Sequence, residues 1–241
     1  MATFTVTNLN DNESDPGSLR FAIKQANAQA GADTIIFDPN FFAVPRTIAL
    51  STQLIVNDSL TIKGPGVNNL TISGDANKNG SNDNGDVRLF FVNQGTVQFN
   101  NLTLANGRGK GGDGGGGGGG MGGVLFINGG SVTANNVTFS NNQAIGGNGS
   151  FGSGGGGGGF GGSGGSGGSG RYGGSGGGGF GGGGGISSLY AGAGGGGFSG
   201  EGGYETDSRA RGGSGAGTIF GGNPAGDGGS DGGRGGGIGG G

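Results

Sequence analysis

Phe91 to Gly107 reads FVNQGTVQFNNLTLANG, and Phe126 to Asn142 reads FINGGSVTANNVTFSNN, the same seventeen-residue segment met twice at a constant offset of 35. Eight positions are identical without a gap, and Val92/Ile127, Thr96/Ser131, Leu102/Val137 and Leu104/Phe139 exchange like for like. A degenerate third copy lies upstream in Leu60-Thr61-Ile62 and Asn68-Asn69-Leu70-Thr71-Ile72. Self-similarity at this spacing marks a stack of units, each too thin to bury its own apolar face. Within each copy the inward set is Val97, Phe99, Leu102 and Leu104, matched by Val132, Ala134, Val137 and Phe139. The Asn pair between the apolar pairs reads as a corner between two strands of one coil, stacked on the Asn pair below. A two-residue hairpin turn is the competing reading of that pair, but it leaves the in-register recurrence of the whole segment unexplained.

Composition supports a narrow core. The chain has 241 residues, of which 76 are glycine and 29% hydrophobic, with 5 prolines and no collagen-like triplet register. Cysteine, histidine and tryptophan are absent, which removes disulfides, thiolate metal sites and the commonest general base. A net charge of -3 supplies no long-range field toward nucleic acid or an anionic membrane, and no apolar run approaches membrane-spanning length.

Outward from the repeat, Phe4 to Thr7 alternates apolar and polar residues and reads as a first strand. A helix follows: Ser18 caps it, Leu19, Ala22, Ile23 and Ala26 form one apolar stripe, and Gly31 provides a left-handed stop. Its stripe is suited to cover the end of a stack. Short strands are expected at Thr34–Phe37, Arg46–Leu50, Gln53–Val56, Leu60–Ile62, Leu70–Ser73 and Arg88–Val92. Glycine tracts leave both repeats at one corner, as Arg108–Gly123 and as everything from Gln143 onward. These tracts read either as flexible linker or as packed polyproline II segments of the polyglycine II kind, with amide-to-carbonyl bonds between them.

Four stretches are candidates for chemistry. Asp75–Asp86 (DANKNGSNDNGD) has oxygen ligands for calcium but not the spacing of an EF-hand, and a solvated loop is the simpler reading. Gly226–Gly233 carries Gly and Asp without a nonapeptide register, and Arg211-Gly212-Gly213 with Arg234-Gly235-Gly236 are two RGG triplets in a chain of negative charge. The expected strand faces carry Thr, Asn, Ser and Gln, while Arg88, Asp83 and Asp86 are the charged residues nearest the late strands. No catalytic, cofactor or metal residue is therefore assigned.

Gly17-Ser18-Leu19-Arg20-Phe21-Ala22-Ile23, then Gly31 to Pro39 (GADTIIFDP), then Ile62-Lys63-Gly64-Pro65-Gly66, resembles the cap and first coils of bacterial right-handed parallel β-helix proteins of the CSLREND type, in the pectin-lyase-like superfamily. Gly122-Gly123-Val124-Leu125 and Phe139-Ser140-Asn141-Asn142 resemble elements of polymorphic outer-membrane protein repeats. The resemblance implies an extracellular or cell-surface structural protein exported by a type I route. The expected architecture is all-β: a right-handed parallel β-helix over 1–145 with an N-terminal capping helix and a glycine-rich insertion at 108–123, then a glycine-rich region at 146–241. The expected role is a structural or adhesive surface element that self-associates head to tail into filaments, because one cap and no second is visible. The alternative is an adhesin whose glycine-rich region recognises a surface glycan or receptor. No enzyme activity, cofactor, nucleic-acid partner or membrane insertion is expected.

Overall fold

The computed structural model describes residues 1–113 and 118–148, together with the backbone of two short paired strands, Ile186–Ser187 and Tyr204–Glu205. The chain divides into two units: Met1–Gly109 with Gly122–Gln143, and Lys110–Met121 with Ala144–Gly241.

The first unit is a parallel β-helix of about four coils with one short helix near its start. Strand β1 (Thr3–Val6) leads into helix α1 (Leu19–Ala28). The coils then follow: β2 (Asp33–Phe37), β3 (Arg46–Ala49) and β4 (Leu54–Val56); β5 (Leu60–Lys63), β6 (Leu70–Ser73) and β7 (Phe90–Val92); β8 (Thr96–Ala105), β9 (Arg108–Lys110) and β10 (Leu125–Ile127); β11 (Ser131–Ser140) and β12 (Gln143–Ile145). Every pairing with a resolved register is parallel, so each strand rests on its counterpart one coil earlier. β8 and β11 each serve two faces: the first half of β8 lies on β5, the second half on β6.

The degenerate copy is a true coil. Leu60, Thr61 and Ile62 pair with Val97, Gln98 and Phe99, and Thr71 and Ile72 pair with Thr103 and Leu104. Its offset is irregular because Gly64 to Asn69 forms a loop where the later coils turn on two asparagines; Gly64 N and Gly66 N donate to Asn100 O and Asn101 O, at 2.8 and 2.9 Å. Strand alternation turns one side of each rung inward, and the inward residues stack into columns such as Ile35–Ile62–Phe99–Ala134 and Ile48–Ile72–Leu104–Phe139. From the first coil through β8 these columns are fully buried, with Phe90 edge-on to Phe99 at 4.8 Å between centroids.

The helix seals one end. Ser18 is its N-cap and accepts from Phe21 N at 3.1 Å, while Leu19, Ala22, Ile23 and Ala26 are buried against the stack. Arg20 reaches the other way: it grips the Asp11 carboxylate at 2.7 and 2.9 Å and donates to Thr52 O and Gln53 O. The Ser-Leu-Arg run thus supplies a cap, a buried anchor and a clamp in three consecutive residues. Gly31 has the expected positive φ, 110°, but the helix is already closed at Gln29, and the Gly31 amide serves instead to bind Asp58 at 3.0 Å. A 3-10 turn at Phe41–Ala43, which periodicity did not reveal, places Phe42 in the core.

Both glycine tracts begin later than their composition suggests. Arg108–Lys110 and Gln143–Ile145 are strands that pair with each other, so the coil claims three residues before each tract departs. Among the described residues of the second unit, Gly118 N donates to Gly112 O and Gly147 N to Gly118 O, at 2.8 and 2.7 Å. A Cβ on Gly147 would collide with Gly112 O, so this packing of backbone on backbone admits only glycine. The Phe and Tyr residues punctuating the long tract, the GGS repeat at 161–169, the RGG triplets and the Gly-Asp stretch at 226–233 lie outside the described residues.

Candidate functional site: the open coil

The stretch from β10 through β11, which enters the last described coil, breaks the burial pattern of the coils beneath it. Val97, Phe99, Leu102 and Leu104 are all fully buried. Their partners one coil on are not: Val132 and Val137 are half-buried, Ala134 is exposed, and Phe139 is 51% exposed. Ile127, seated on the fully buried Val92, is 47% exposed. β11 bonds to β8 along one edge, and among the described residues no hydrogen bond reaches its other edge. A strand edge of ten residues is a template for further pairing.

Asparagine marks the corners of this coil. Asn135, Asn136 and Asn141 donate through Nδ2 to Oδ1 of Asn100, Asn101 and Asn106, at 3.0, 2.8 and 2.8 Å. A fourth column runs over three coils, from Asn128 to Asn93 at 3.0 Å and from Asn93 to Asn57 at 3.3 Å. Asn101, Asn106, Asn136 and Asn141 all have left-handed backbone, with φ between 50 and 54°. Asn tolerates that region where most residues do not, and its amide then bonds along the stack, so one residue type meets both demands. The ladder has a sense: each upper amide donates to the lower one through Nδ2, and among the described residues the Oδ1 atoms of Asn128, Asn135, Asn136 and Asn141 accept no hydrogen bond. Sequence reading found the Asn100–Asn101 corner; it missed the second corner at Asn106 and Asn141, although both stand at the same 35-residue offset.

No charged residue occurs from Val124 to Asn142. Arg88 contacts this stretch: its guanidinium donates to Gly122 O at 2.7 Å and to Gln53 Oε1 at 3.0 Å and lies over the Phe126 ring at 5.4 Å. Burial pulls the Arg88 guanidinium below its ordinary range. Phe126 stacks in parallel on Phe91 at 5.7 Å, continuing the column logic on the outside of the coil.

The acidic stretch at 75–86 folds around its own carboxylates. Asp75, 6% exposed, accepts from Asn79 N and Gly80 N at 3.1 and 2.8 Å; Asp86 accepts from Ala76 N and Asp83 N; Asp83 accepts from the Asn77 and Asn79 side chains. Its oxygens face amide donors. Among the described residues no group of three or more His, Cys, Asp or Glu is placed to hold a metal ion. Asp83 and Asp86 are thus engaged within this loop, while Arg88 is held by Gly122 and Gln53. No helix among the described residues is long and apolar enough to cross a membrane.

No protein-family model, curated protein or solved structure matches the chain.

Proposed function

We propose that the protein is an extracellular or cell-surface structural element, adhesive rather than enzymatic, that associates with copies of itself through its open coil. The observation that carries this reading is the exposed edge of β11, flanked by the exposed side chains of Phe139 and Ile127 on a coil with no charge. A neutral end lets two copies approach without the repulsion that a net charge of -3 otherwise supplies. The likeness to CSLREND-type and polymorphic outer-membrane repeat proteins of the pectin-lyase-like superfamily supports the surface role. In that likeness the Ser18-Leu19-Arg20 run corresponds to the signature.

Head-to-tail stacking into filaments remains the simplest assembly rule for a solenoid whose last described coil is exposed, and it requires that coil to meet a capped end. The outer face of α1 presents Lys24 and Gln25, so the contact would be polar on one side. The second reading, recognition of a surface glycan by the glycine-rich region, rests on residues outside those described. Sedimentation velocity across a hundredfold range of protein concentration separates the two. Growth in size with concentration, abolished by Phe139→Glu, supports assembly; a monomer at every concentration contradicts it. Appearance of reducing ends or unsaturated uronate from a polysaccharide would overturn the non-enzymatic part.

A further inference from the structure

Asn-Gly is the dipeptide most prone to spontaneous loss of the side-chain amide, because glycine leaves its own nitrogen unshielded by a Cβ. The sequence holds five such pairs, and four lie wholly within the described residues: Asn79-Gly80, Asn84-Gly85, Asn106-Gly107 and Asn128-Gly129. The fold treats them differently. The Gly80 amide donates to the buried Asp75 carboxylate at 2.8 Å, and the Gly107 amide donates to Asn142 Oδ1 at 2.7 Å. Asn106 is further held from both sides, accepting from Asn141 and donating to Ser73 Oγ. Among the described residues the Gly85 amide makes no hydrogen bond, but Asn84 Oδ1 accepts from Arg108 at 3.2 Å. The Gly129 amide also makes none among them, and the exposed Asn128 side chain is tied by one bond, to Asn93, while the Asn128 backbone amide donates to Val92 O at 2.8 Å.

We propose that Asn128-Gly129, on the open coil, is a site of self-modification at which asparagine becomes aspartate or isoaspartate. The Gly129 nitrogen loses its proton to solvent base and attacks Asn128 Cγ. The new C–N bond closes a succinimide as the Cγ–Nδ2 bond breaks and ammonia leaves. Water then opens the ring at either carbonyl, so the net change is one water consumed and one ammonia released. The product matters because of where it sits. A carboxylate cannot donate to Asn93 Oδ1, so the top rung of the Asn57–Asn93–Asn128 column is lost, and a coil with no charge acquires one. The isoaspartate product also lengthens the backbone at the corner between β10 and β11. Exposure time would thereby be written onto the surface to which assembly is assigned, although the chemistry itself does not depend on that assignment.

The test is incubation of the full chain in mildly alkaline buffer, with conversion at each Asn-Gly followed by peptide mass mapping, beside the same chain in denaturant. The folded chain should convert Asn128 fastest, ahead of Asn106 and Asn79 by about tenfold, the factor expected when the attacking amide must first break a held hydrogen bond. Asn84 should fall between them. In denaturant the four sites should converge. Conversion of Asn106 or Asn79 as fast as Asn128 in the folded chain overturns the proposal, as does a folded-state ranking identical to that in denaturant. Asn142→Ala supplies a second arm: freeing the Gly107 amide should raise conversion at Asn106, and an unchanged rate there contradicts the protection argument.

Discussion

β8 and β11 are the same sequence in two circumstances. Both run ten residues, both turn on an Asn-Asn corner with the second Asn left-handed, and their residues pair one to one at an offset of 35. β8 is roofed by β11 and its inward side chains are dry; among the described residues no strand pairs with the other edge of β11, and its inward side chains are half-buried or exposed. The local code therefore sets conformation, and position in the stack sets energy. Stability in such an array is a sum over neighbours, and an end unit has one neighbour where an inner unit has two.

The widest separation between the two strands should come from truncating equivalent core residues. Leu102→Ala removes a fully buried side chain and should cost about 2–5 kcal/mol, whereas Val137→Ala, its half-buried partner, should cost less than about 1 kcal/mol. Urea unfolding of the two variants measures the gap, and equal losses would mean that β11 is covered. At the opposite end, Arg20→Ala should cost about 3 kcal/mol by leaving the Asp11 carboxylate without its guanidinium. Arg20→Lys should not restore it, because a lysine cannot span Asp11, Thr52 O and Gln53 O with one planar fork. The capped end should thus be far less tolerant of substitution than the open one.

These contrasts show which parts of the fold are readable from sequence. The 35-residue offset, the inward set and the α1 stripe follow from repetition and periodicity, which are properties of a stretch of chain. The Asn pair was readable for the same reason. What escaped detection was decided by single contacts: the 3-10 turn that buries Phe42, the strands at Arg108–Lys110 and Gln143–Ile145 that glycine content disguised, and the earlier close of α1 at Gln29. Openness of the last coil is also invisible locally, because Val132 and Val137 are as apolar as the residues they sit on. It emerges only when the stack is assembled and counted from the capped end.

Smaller effects sharpen the comparison at the corners. Asn101→Ala should cost about 1–2 kcal/mol by forcing a Cβ residue into left-handed backbone, and Asn101→Gly should recover most of that loss while still lacking the ladder bond. The same pair of substitutions at Asn136 breaks the same Asn136–Asn101 bond from its other side and should show a matching pair of losses. Thermal melts of the four variants separate conformational cost from stacking.

The smallest expected effect is a pH dependence at the capped end. Burial opposes ionisation of Asp11, but donors from Arg20 and Ser51 outweigh it and hold its carboxyl below the usual 3.8. A carboxyl with a depressed folded value contributes stability that is present above its unfolded value and lost as pH falls through the folded one. Melting temperature should therefore decline below about pH 3.8 in the parent, and part of that slope should vanish in Asp11→Asn.

The central proposal is that another copy covers the exposed edge of β11, and site-resolved hydrogen exchange at several protein concentrations tests it most directly. Ser131 N donates to Gly95 O and Asn106 N to Ser140 O, so alternate residues of β11 face β8 and the residues between, Val132 and Ala134 first among them, turn their amides to the open side. In dilute solution the Val132 and Ala134 amides should exchange rapidly while those along β8 stay protected. As concentration rises, protection should appear at Val132 and Ala134 and leave β8 unchanged. Exchange at those two amides that is slow in dilute solution, or fast at every concentration, would contradict the account.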